Sequence, residues 1–483
     1  MTSSVPRTQL AANLNTAQVI TGLWQIADME RDGASLELAP LANAMHPYVE
    51  AGLTTFDMAD HYGSAEDIAG QYHTQFGHEG VQMLTKWVPE PTDMTKEATR
   101  EAVERALKRM NNERLDLLQF HTWRYADAHW LDCLGWLQEL KEEGLIANLG
   151  LTNVDAAHLN MVLHSGIEVV SNQVSCSLID RRAQGALTKV CLEHGVKLLA
   201  YGTVAGGLLT ERWHGQPEPK EDDATWSQMK YARFIDQAGG WQVFQDVLDT
   251  VHDIATCNEV SMANVASRYV LEQPAVGAII IGARLGQRNH LEDTLKLFEF
   301  SLTDEDKAQL EAALTKLSPM PGDCGDEYRK PPFLTASGDL SHHLQSFPPP
   351  FEPIQTPQKT YVLSGTTWET FAGYCRAVRV GEHINVSGTT ASHGDTVIGG
   401  QDAAAQTHFV IDKLEAALLS LGGTLEDVIR TRVFVDDITN WEAVAQAHGE
   451  RFRDILPANT LVQAKLVGSD YLVEIEAEAI VRS

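Results

Sequence analysis

From Val19 to Leu317 short apolar runs alternate with amphipathic segments. Thr54–Asp57, Val81–Lys86, Leu115–Phe120, Ile146–Leu151, Val169–Gln173, Lys197–Tyr201 and Val276–Ile281 have the length and apolar continuity of strands buried on both faces. A weaker run, Val19–Trp24, precedes them. The intervening segments carry a helical period: Ala98, Ala102, Val103, Ala106, Leu107 and Met110 fall on one face. Eight strands alternating with helices predict an α/β fold with a parallel sheet, either a closed (β/α)8 barrel or an open doubly wound sheet. Periodicity alone does not separate the two. Met1 to Asn13 reads as a polar lead-in. Gly206 to Gly240 breaks the alternation, is polar and holds Pro217 and Pro219. It is predicted to be a long loop at the carboxyl end of the seventh strand, where loops build binding sites.

The pattern changes after the last of these helices. Residues 319–364 are rich in Pro, Gly, Ser and His, and Pro348-Pro349-Pro350 excludes a helix or central strand there. This stretch is predicted to link a first domain, 1–318, to a second, 365–483. Its aromatic residues, Tyr328, Phe333, Phe347 and Phe351, suggest that it lies against a surface. Beyond it, strand-like runs at Ala377–Val380 and His383–Ser387 precede a helix over Asp402–Leu421. A strand at Ile429–Val435, a helix at Trp441–Ile455 and strands at Thr460–Leu466 and Leu472–Ile480 complete a small α+β domain.

Composition narrows the function. The chain has 483 residues and a formal charge of −29, which argues against nucleic acid and anionic membranes as partners. No apolar run approaches the ~20 residues of a membrane span, and no signal pattern opens the chain. The six cysteines are scattered, without metal-ligand spacing. His342-His343 in the polar linker reads as solvated. A cytoplasmic protein with reduced thiols and no metal is expected.

Three polar residues end consecutive strands: Asp57, Lys86 and His121. In a barrel, consecutive strand ends share one rim, and active sites of that architecture lie there. Tyr62 follows Asp57 by five residues, close enough for a short loop to return its hydroxyl. Together these groups suit carbonyl reduction. A Tyr hydroxyl can protonate a developing alkoxide, and a neighbouring ammonium lowers its pKa from ~10. Asp57 would keep Lys86 charged, and His121 would position the carbonyl oxygen. Trp24, Trp87 and Trp123 lie near strand ends, where they either line a substrate pocket or pack in the core.

Gly52-Leu53-Thr54-Thr55-Phe56-Asp57-Met58-Ala59-Asp60-His61-Tyr62-Gly63 resembles the signature of the aldo-keto reductase family. The likeness extends over Val19 to Leu317 and implies a barrel, NADPH as cofactor and Asp57, Tyr62, Lys86 and His121 as catalytic residues. Thr152, Asn153 and Gln173 resemble the family's nicotinamide-carboxamide contacts, and Tyr201 resembles the aromatic that stacks on the ring. Gly282, Arg284, Arg288 and Asp293 resemble the segment that grips the adenosine phosphate, and an Arg there favours NADPH over NADH. Gly202-Thr203-Val204 departs from the family's usual sequence after that Tyr, as does the Arg288 to Asp293 spacing.

Tyr374-Cys375-Arg376-Ala377-Val378 and Val386-Ser387-Gly388-Thr389-Thr390 resemble the opening of Rid/YjgF-family domains, and Arg432–Asp436 and Val473–Ala477 resemble later strands. The resemblance implies a homo-oligomer, commonly a trimer with ligand clefts. Arg376, Arg432 and Glu474 are its candidate cleft residues. The family's carboxylate-binding Arg after Pro-Ala is replaced by Asn459, which cannot form a bidentate ionic contact. Glu474 also belongs to an alternating strand whose acidic face can simply be solvated. The expected activity is NADPH-dependent reduction of an aldehyde or ketone, with oligomerisation or ligand binding by the second domain. The alternatives are a cofactor-bound sensor or scaffold without turnover, and imine or enamine hydrolysis in the cleft of the second domain.

Overall fold

A computed structural model describes residues 5–30, 33–220, 224–330 and 347–482. Phe333 and His342-His343 lie outside them. The chain divides into two units, Met1–Trp123, Trp136–Ala156 and Val169–Gln345 in one, and Arg124–Gly135, Ala157–Glu168 and Ser346–Ser483 in the other.

The first unit opens with a hairpin, β1 (Arg7–Ala11) and β2 (Leu14–Ala17). From Arg7 on, the stretch predicted as a polar lead-in is therefore structured. Its reason is Leu10 and Leu14, which pack into the barrel core with Ile20, Leu84, Leu117 and Leu199. Two leucines among polar residues are too few to register as a periodic run, yet each contributes ~2 kcal/mol by burial.

Eight parallel strands follow: β3 (Val19–Gly22), β4 (Thr55–Asp57), β5 (Gln82–Trp87), β6 (Leu117–His121), β7 (Leu149–Thr152), β8 (Ser171–Ser175), β9 (Lys197–Tyr201) and β10 (Val276–Gly282). Each pairs with the next, and β10 returns to β3 with Ile279 opposite Val19. The sheet is a closed barrel, which decides against the doubly wound alternative. Close strand approach is visible at Gly150, where a Cβ would meet Ser171 Oγ at 2.6 Å. Helices surround the strands as the period requires. In Lys96–Arg109 the buried face is Thr99, Ala102, Val103 and Ala106, and the Thr95 side chain caps the helix by accepting from the Ala98 amide.

The region after β9 is not wholly loop. It contains the helix Trp226–Gln237, started by a capping box between Thr225 and Gln228. Its inner face includes Lys230, Tyr231 and Phe234, a mixture of charge and aromatic residues that dilutes the apolar signal. Past the barrel's last long helix, Asp304–Leu314, the chain forms a short helix, Asp326–Arg329.

The second unit holds a seven-stranded sheet. Its strands are β11 (Pro353–Gln355), β12 (Thr360–Val362), β13 (Ala377–Val380), β14 (His383–Thr390), β17 (Val428–Val435), β18 (Ala458–Gln463) and β19 (Val473–Ile480), in the order β11-β12-β13-β14-β19-β17-β18. A small hairpin, β15 (Ser392–His393) and β16 (Thr396–Val397), lies apart from it. β11 and β12 come from the stretch predicted as linker. They are three-residue strands at the sheet's end, too short for a period-2 pattern to show. The helix Ala403–Ser420 packs on β14 and β19. Along β19, Val473, Ile475, Ala477 and Ala479 are buried while Glu474, Glu476 and Glu478 occupy the other face. No described helix is long and apolar enough to cross a membrane.

Candidate active site

A cavity of about 180 Å³ lies at the carboxyl ends of the barrel strands. Asp57, Tyr62, Lys86 and His121 all line it. Asp57 closes β4, and the chain turns back so that the Tyr62 amide donates to the Ala59 carbonyl at 3.1 Å. Lys86 sits on the next strand. Its Nζ donates to Asp57 Oδ2 at 2.6 Å and to the Met58 carbonyl at 2.8 Å. Both side chains are 4% exposed. The other Asp57 oxygen accepts from Gln119 Nε2 at 2.9 Å and Gln173 Nε2 at 2.8 Å. The carboxylate is thus buried but engaged by three donors, which offsets its desolvation.

Lys86 Nζ lies 4.8 Å from the centre of the Tyr62 ring. The expectation that this ammonium would lower the Tyr62 pKa is not met. Burial, followed by the Asp57 charge and Tyr328, holds the phenol well above its ordinary value. Burial also lowers the Lys86 pKa, opposed chiefly by Asp57. The lysine charge is largely spent on its own carboxylate. Tyr62 is therefore a neutral phenol, a donor rather than a base.

His121 Nδ1 is 3.3 Å from the Thr152 carbonyl. A carbonyl only accepts, so in this bond Nδ1 carries a proton. The ring meets Trp123 edge-on at 4.6 Å and Tyr328 at 5.7 Å. Trp24 is edge-on to Tyr62 at 4.9 Å.

Thr152, Asn153, Gln173, Tyr201 and Gly282 line the same cavity. Tyr201 donates its hydroxyl proton to Asn153 Oδ1 at 2.7 Å. Gln173 spends Nε2 on Asp57 and, at 2.8 Å, on Gln119 Oε1. Of the three tryptophans, Trp24 and Trp123 line the cavity. Trp87 does not: it is 5% exposed and packs on Phe120, their rings 5.6 Å apart. Strand alternation turns it outward, away from the barrel axis. Arg284, Arg288 and Asp293 lie outside the cavity. Arg284 is paired with Asp28, and Arg288 is exposed. Asp293 Oδ2 accepts from Ser261 Oγ at 2.8 Å, beside the start of the helix Met262–Leu271.

Several cavity residues were missed by sequence reasoning. Trp226, Lys230 and Tyr231 come from the helix after β9, and Tyr328 from the short helix Asp326–Arg329. Tyr328 is held there by its neighbours. Arg329 donates to the Asn153 carbonyl at 2.7 Å and the Thr122 carbonyl at 2.8 Å. Glu327 accepts from Arg182 at 2.9 Å, and Arg182 also pairs with Asp180 at 2.8 Å. Gly325, at φ +87°, lies so close to the Asn153 carbonyl that a Cβ would approach its oxygen to 2.1 Å. For Tyr328 the sequence signal was the cluster of aromatic residues in a polar stretch, and for the helix it was the break in the alternation at Gly206 to Gly240.

In the second unit the three candidate cleft residues do not converge on one pocket. Arg432 lines a depression of about 210 Å³ with Arg430, Glu476 and Glu478. Arg376 and Glu474 are not part of it. Arg376 is 5% exposed and donates to the Gly388 carbonyl and Thr389 Oγ1, both at 2.8 Å. Its Nε is 3.5 Å from Glu369. Glu474 rests on Gly388, and burial raises its pKa. Asn459 donates to Thr431 Oγ1 at 2.9 Å. No group of three or more potential ligands forms a metal site among the described residues.

Residues 18–315 match the family described as Aldo/keto reductase family, and residues 365–481 match that described as Endoribonuclease L-PSP. The NADH-specific methylglyoxal reductase of Escherichia coli is 24% identical over 309 residues, 59% of this chain and 90% of that protein. The 3-aminoacrylate deaminase RutC of Acinetobacter baylyi is 33% identical over 122 residues, 25% of this chain and 97% of that protein. A glycerol dehydrogenase structure from Gluconobacter oxydans is similar in fold, with a TM-score of 0.55 and 23% identity over 66% of this chain and 97% of its own.

Proposed function

The chain belongs to the aldo/keto reductase family, with a Rid/YjgF-type domain fused behind its barrel, and on that premise we propose that it reduces an aldehyde or ketone with NADPH. The observation that carries this reading is the buried Asp57–Lys86 pair beneath the Tyr62 ring, with His121 on the same cavity wall.

The cavity wall suits a nicotinamide. Thr152, Asn153 and Gln173 offer amide and hydroxyl groups to a carboxamide, next to the Tyr201 ring. Arg284 and Arg288 would hold the adenosine phosphate, on the segment that also carries Gly282 and Asp293. When bound, NADPH supplies the hydride. The protein's part is to bind and orient the carbonyl and to deliver a proton. His121 holds the carbonyl oxygen, and Tyr62 Oη gives it its proton as negative charge develops. Asp57 fixes Lys86 beneath the Tyr62 ring and so holds the two side chains in place. A phenol kept neutral by burial is the form that gives up a proton in the reducing direction.

Changing Tyr62 to Phe removes the proton and little else. General-acid catalysis contributes about 10²–10⁴-fold. The Tyr62→Phe variant should therefore lose two to four orders of magnitude in kcat, read by NADPH absorbance across a panel of aldehydes. Equal rates would end the enzymatic reading. The Escherichia coli relative is named for NADH, so the same panel is run with both cofactors. A preference for NADPH that disappears in Arg288→Ala supports the phosphate assignment.

For the second domain we infer oligomerisation, as a trimer, or ligand binding. Exposed Trp368 and Phe371, 57% and 83% accessible, support an association surface. The proposed domain limits are 1–318, 319–364 and 365–483, and the proposed location is the cytoplasm.

A further inference from the structure

Two phenol–ammonium pairs line the barrel cavity. One is Tyr62 with Lys86. The other is Tyr328 with Lys230, whose Nζ donates to the Tyr328 hydroxyl at 2.7 Å. The second pair has no task in the reduction outlined above, and it differs from the first in one respect. Lys86 has a carboxylate at 2.6 Å. Lys230 has none within 4.0 Å among the described residues.

Lys230 is 7% exposed. Aromatic rings surround its Nζ, with centres at 4.5 Å for Tyr328, 4.8 Å for Tyr201, 5.4 Å for Tyr231 and 5.9 Å for Phe234. Ring faces stabilise an ammonium but supply no hydrogen-bond acceptor lone pair. An ammonium has three donors, and the Tyr328 hydroxyl is its one hydrogen-bond partner among the described residues. The carboxylate that acts on it from a distance, Glu327, is committed elsewhere. Its Oε2 accepts from Arg182 at 2.9 Å and the Gly325 amide at 3.0 Å. Burial works against the Lys230 charge, but Tyr328, Tyr231 and Glu327 outweigh it and hold the pKa above its usual value. The cation is charged at neutral pH, buried, and short of acceptors at a cavity wall. Such a group gains most from an anion.

We propose that Lys230 and the Tyr328 hydroxyl form an anion subsite of the reduction pocket, which selects carbonyl substrates bearing a carboxylate within a few bonds of the reacting carbon. This inference rests on the reading of the barrel as a carbonyl reductase. Its position argues for the substrate as the source of the anion. Tyr328 is edge-on to His121, 5.7 Å between ring centres, at the reacting end of the cavity. The arginines assigned to the cofactor's phosphate, Arg284 and Arg288, do not line the cavity.

The test compares acids with their own esters: pyruvate with methyl pyruvate, and 4-oxobutanoate with its methyl ester, at saturating NADPH. The wild-type protein should favour each acid. In Lys230→Met the acid-to-ester ratio of kcat/KM should fall about 10–100-fold, mostly through KM, as expected for the loss of one charge-assisted contact. Lys230→Arg should restore most of the ratio, and Tyr328→Phe should lower it less. A second readout needs no turnover: oxamate, an unreactive pyruvate analogue, titrated against cavity tryptophan fluorescence. Oxamate should bind the wild type and Tyr62→Phe and be lost in Lys230→Met, with far-ultraviolet circular dichroism verifying the fold. An unchanged acid-to-ester ratio, a parallel fall for acid and ester, or wild-type protein that does not bind oxamate would overturn the subsite. Weakened NADPH binding in Lys230→Met with an intact ratio would also overturn it, by assigning Lys230 to the cofactor. Failure of the reductase reading is separate: it appears as equal turnover by Tyr62→Phe, whatever oxamate does.

Discussion

The barrel mouth and the open face of the second sheet both gather cations and carboxylates, but in different surroundings. At the mouth, Asp57 and Lys86 are each 4% exposed and the carboxylate takes three donors. On the sheet, Arg432 is 36% exposed and its partners Glu476 and Glu478 are 32% and 37% exposed. The sheet charges follow from a period of two: every second residue of β19 faces outward, and three of those four are Glu. The mouth charges come from separate strands and stay buried because they complete one another. Charge density alone therefore does not mark a site. Groups that are desolvated, precisely partnered and adjacent to unfilled space are better evidence. Changes at the mouth should be costly, and changes on the sheet face nearly silent.

The largest effect is expected at Asp57. Asp57→Asn preserves shape but leaves Lys86 without a counter-charge in a buried site. Breaking a buried pair in this way costs about 3–5 kcal/mol. The melting temperature should fall by several degrees, and kcat should fall with it, since the lysine then sheds its proton more readily. Thermal melts and aldehyde turnover measure both. A variant with wild-type stability would erase the contrast between the two regions.

Much of this was legible in the sequence. The eight barrel strands, the three polar groups at their ends and the outer helices follow from apolar runs and a 3.6 period, because each strand is buried on both faces. What remained hidden has no such regularity. Leu10 and Leu14 plug the barrel as two isolated leucines. Lys230 and Tyr328 reach the cavity from an aromatic helix and from a polar stretch, which composition alone reads as loop and linker. Arg376 shows the converse. The resemblance to Rid/YjgF domains made it a candidate cleft residue, and in the fold it donates to the Gly388 carbonyl and Thr389 Oγ1.

A middle-sized effect concerns the segment that carries Tyr328. Asp323 lies just before it, and burial, then the Asp155 charge, pushes its carboxyl up to about 7. An unfolded Asp titrates near ~4. Between these values the folded chain keeps a proton that the unfolded chain has released. The resulting stability is fully present below pH ~4 and is lost as pH rises through about 7. Asp323→Asn imitates the protonated form. The variant's advantage in melting temperature should grow from pH 4 to 7 and then level off. A difference independent of pH would show that Asp323 is not the group that titrates.

The smallest effect is expected at Arg432, and it sharpens the comparison from the other side. Arg432 has two glutamate partners, so a simple count of ion pairs would rank it above Lys86, which has one. Exposure reverses that ranking. Water already solvates all three side chains, salt screens them, and the long arginine loses conformational freedom in forming the pairs. Arg432→Ala should leave the melting temperature and aldehyde turnover within experimental scatter, at both low and high salt. A clear loss of stability at high protein concentration but not on dilution would show that this face is covered by another copy of the chain. The sheet would then behave like the barrel mouth, with its charges buried by assembly rather than by folding.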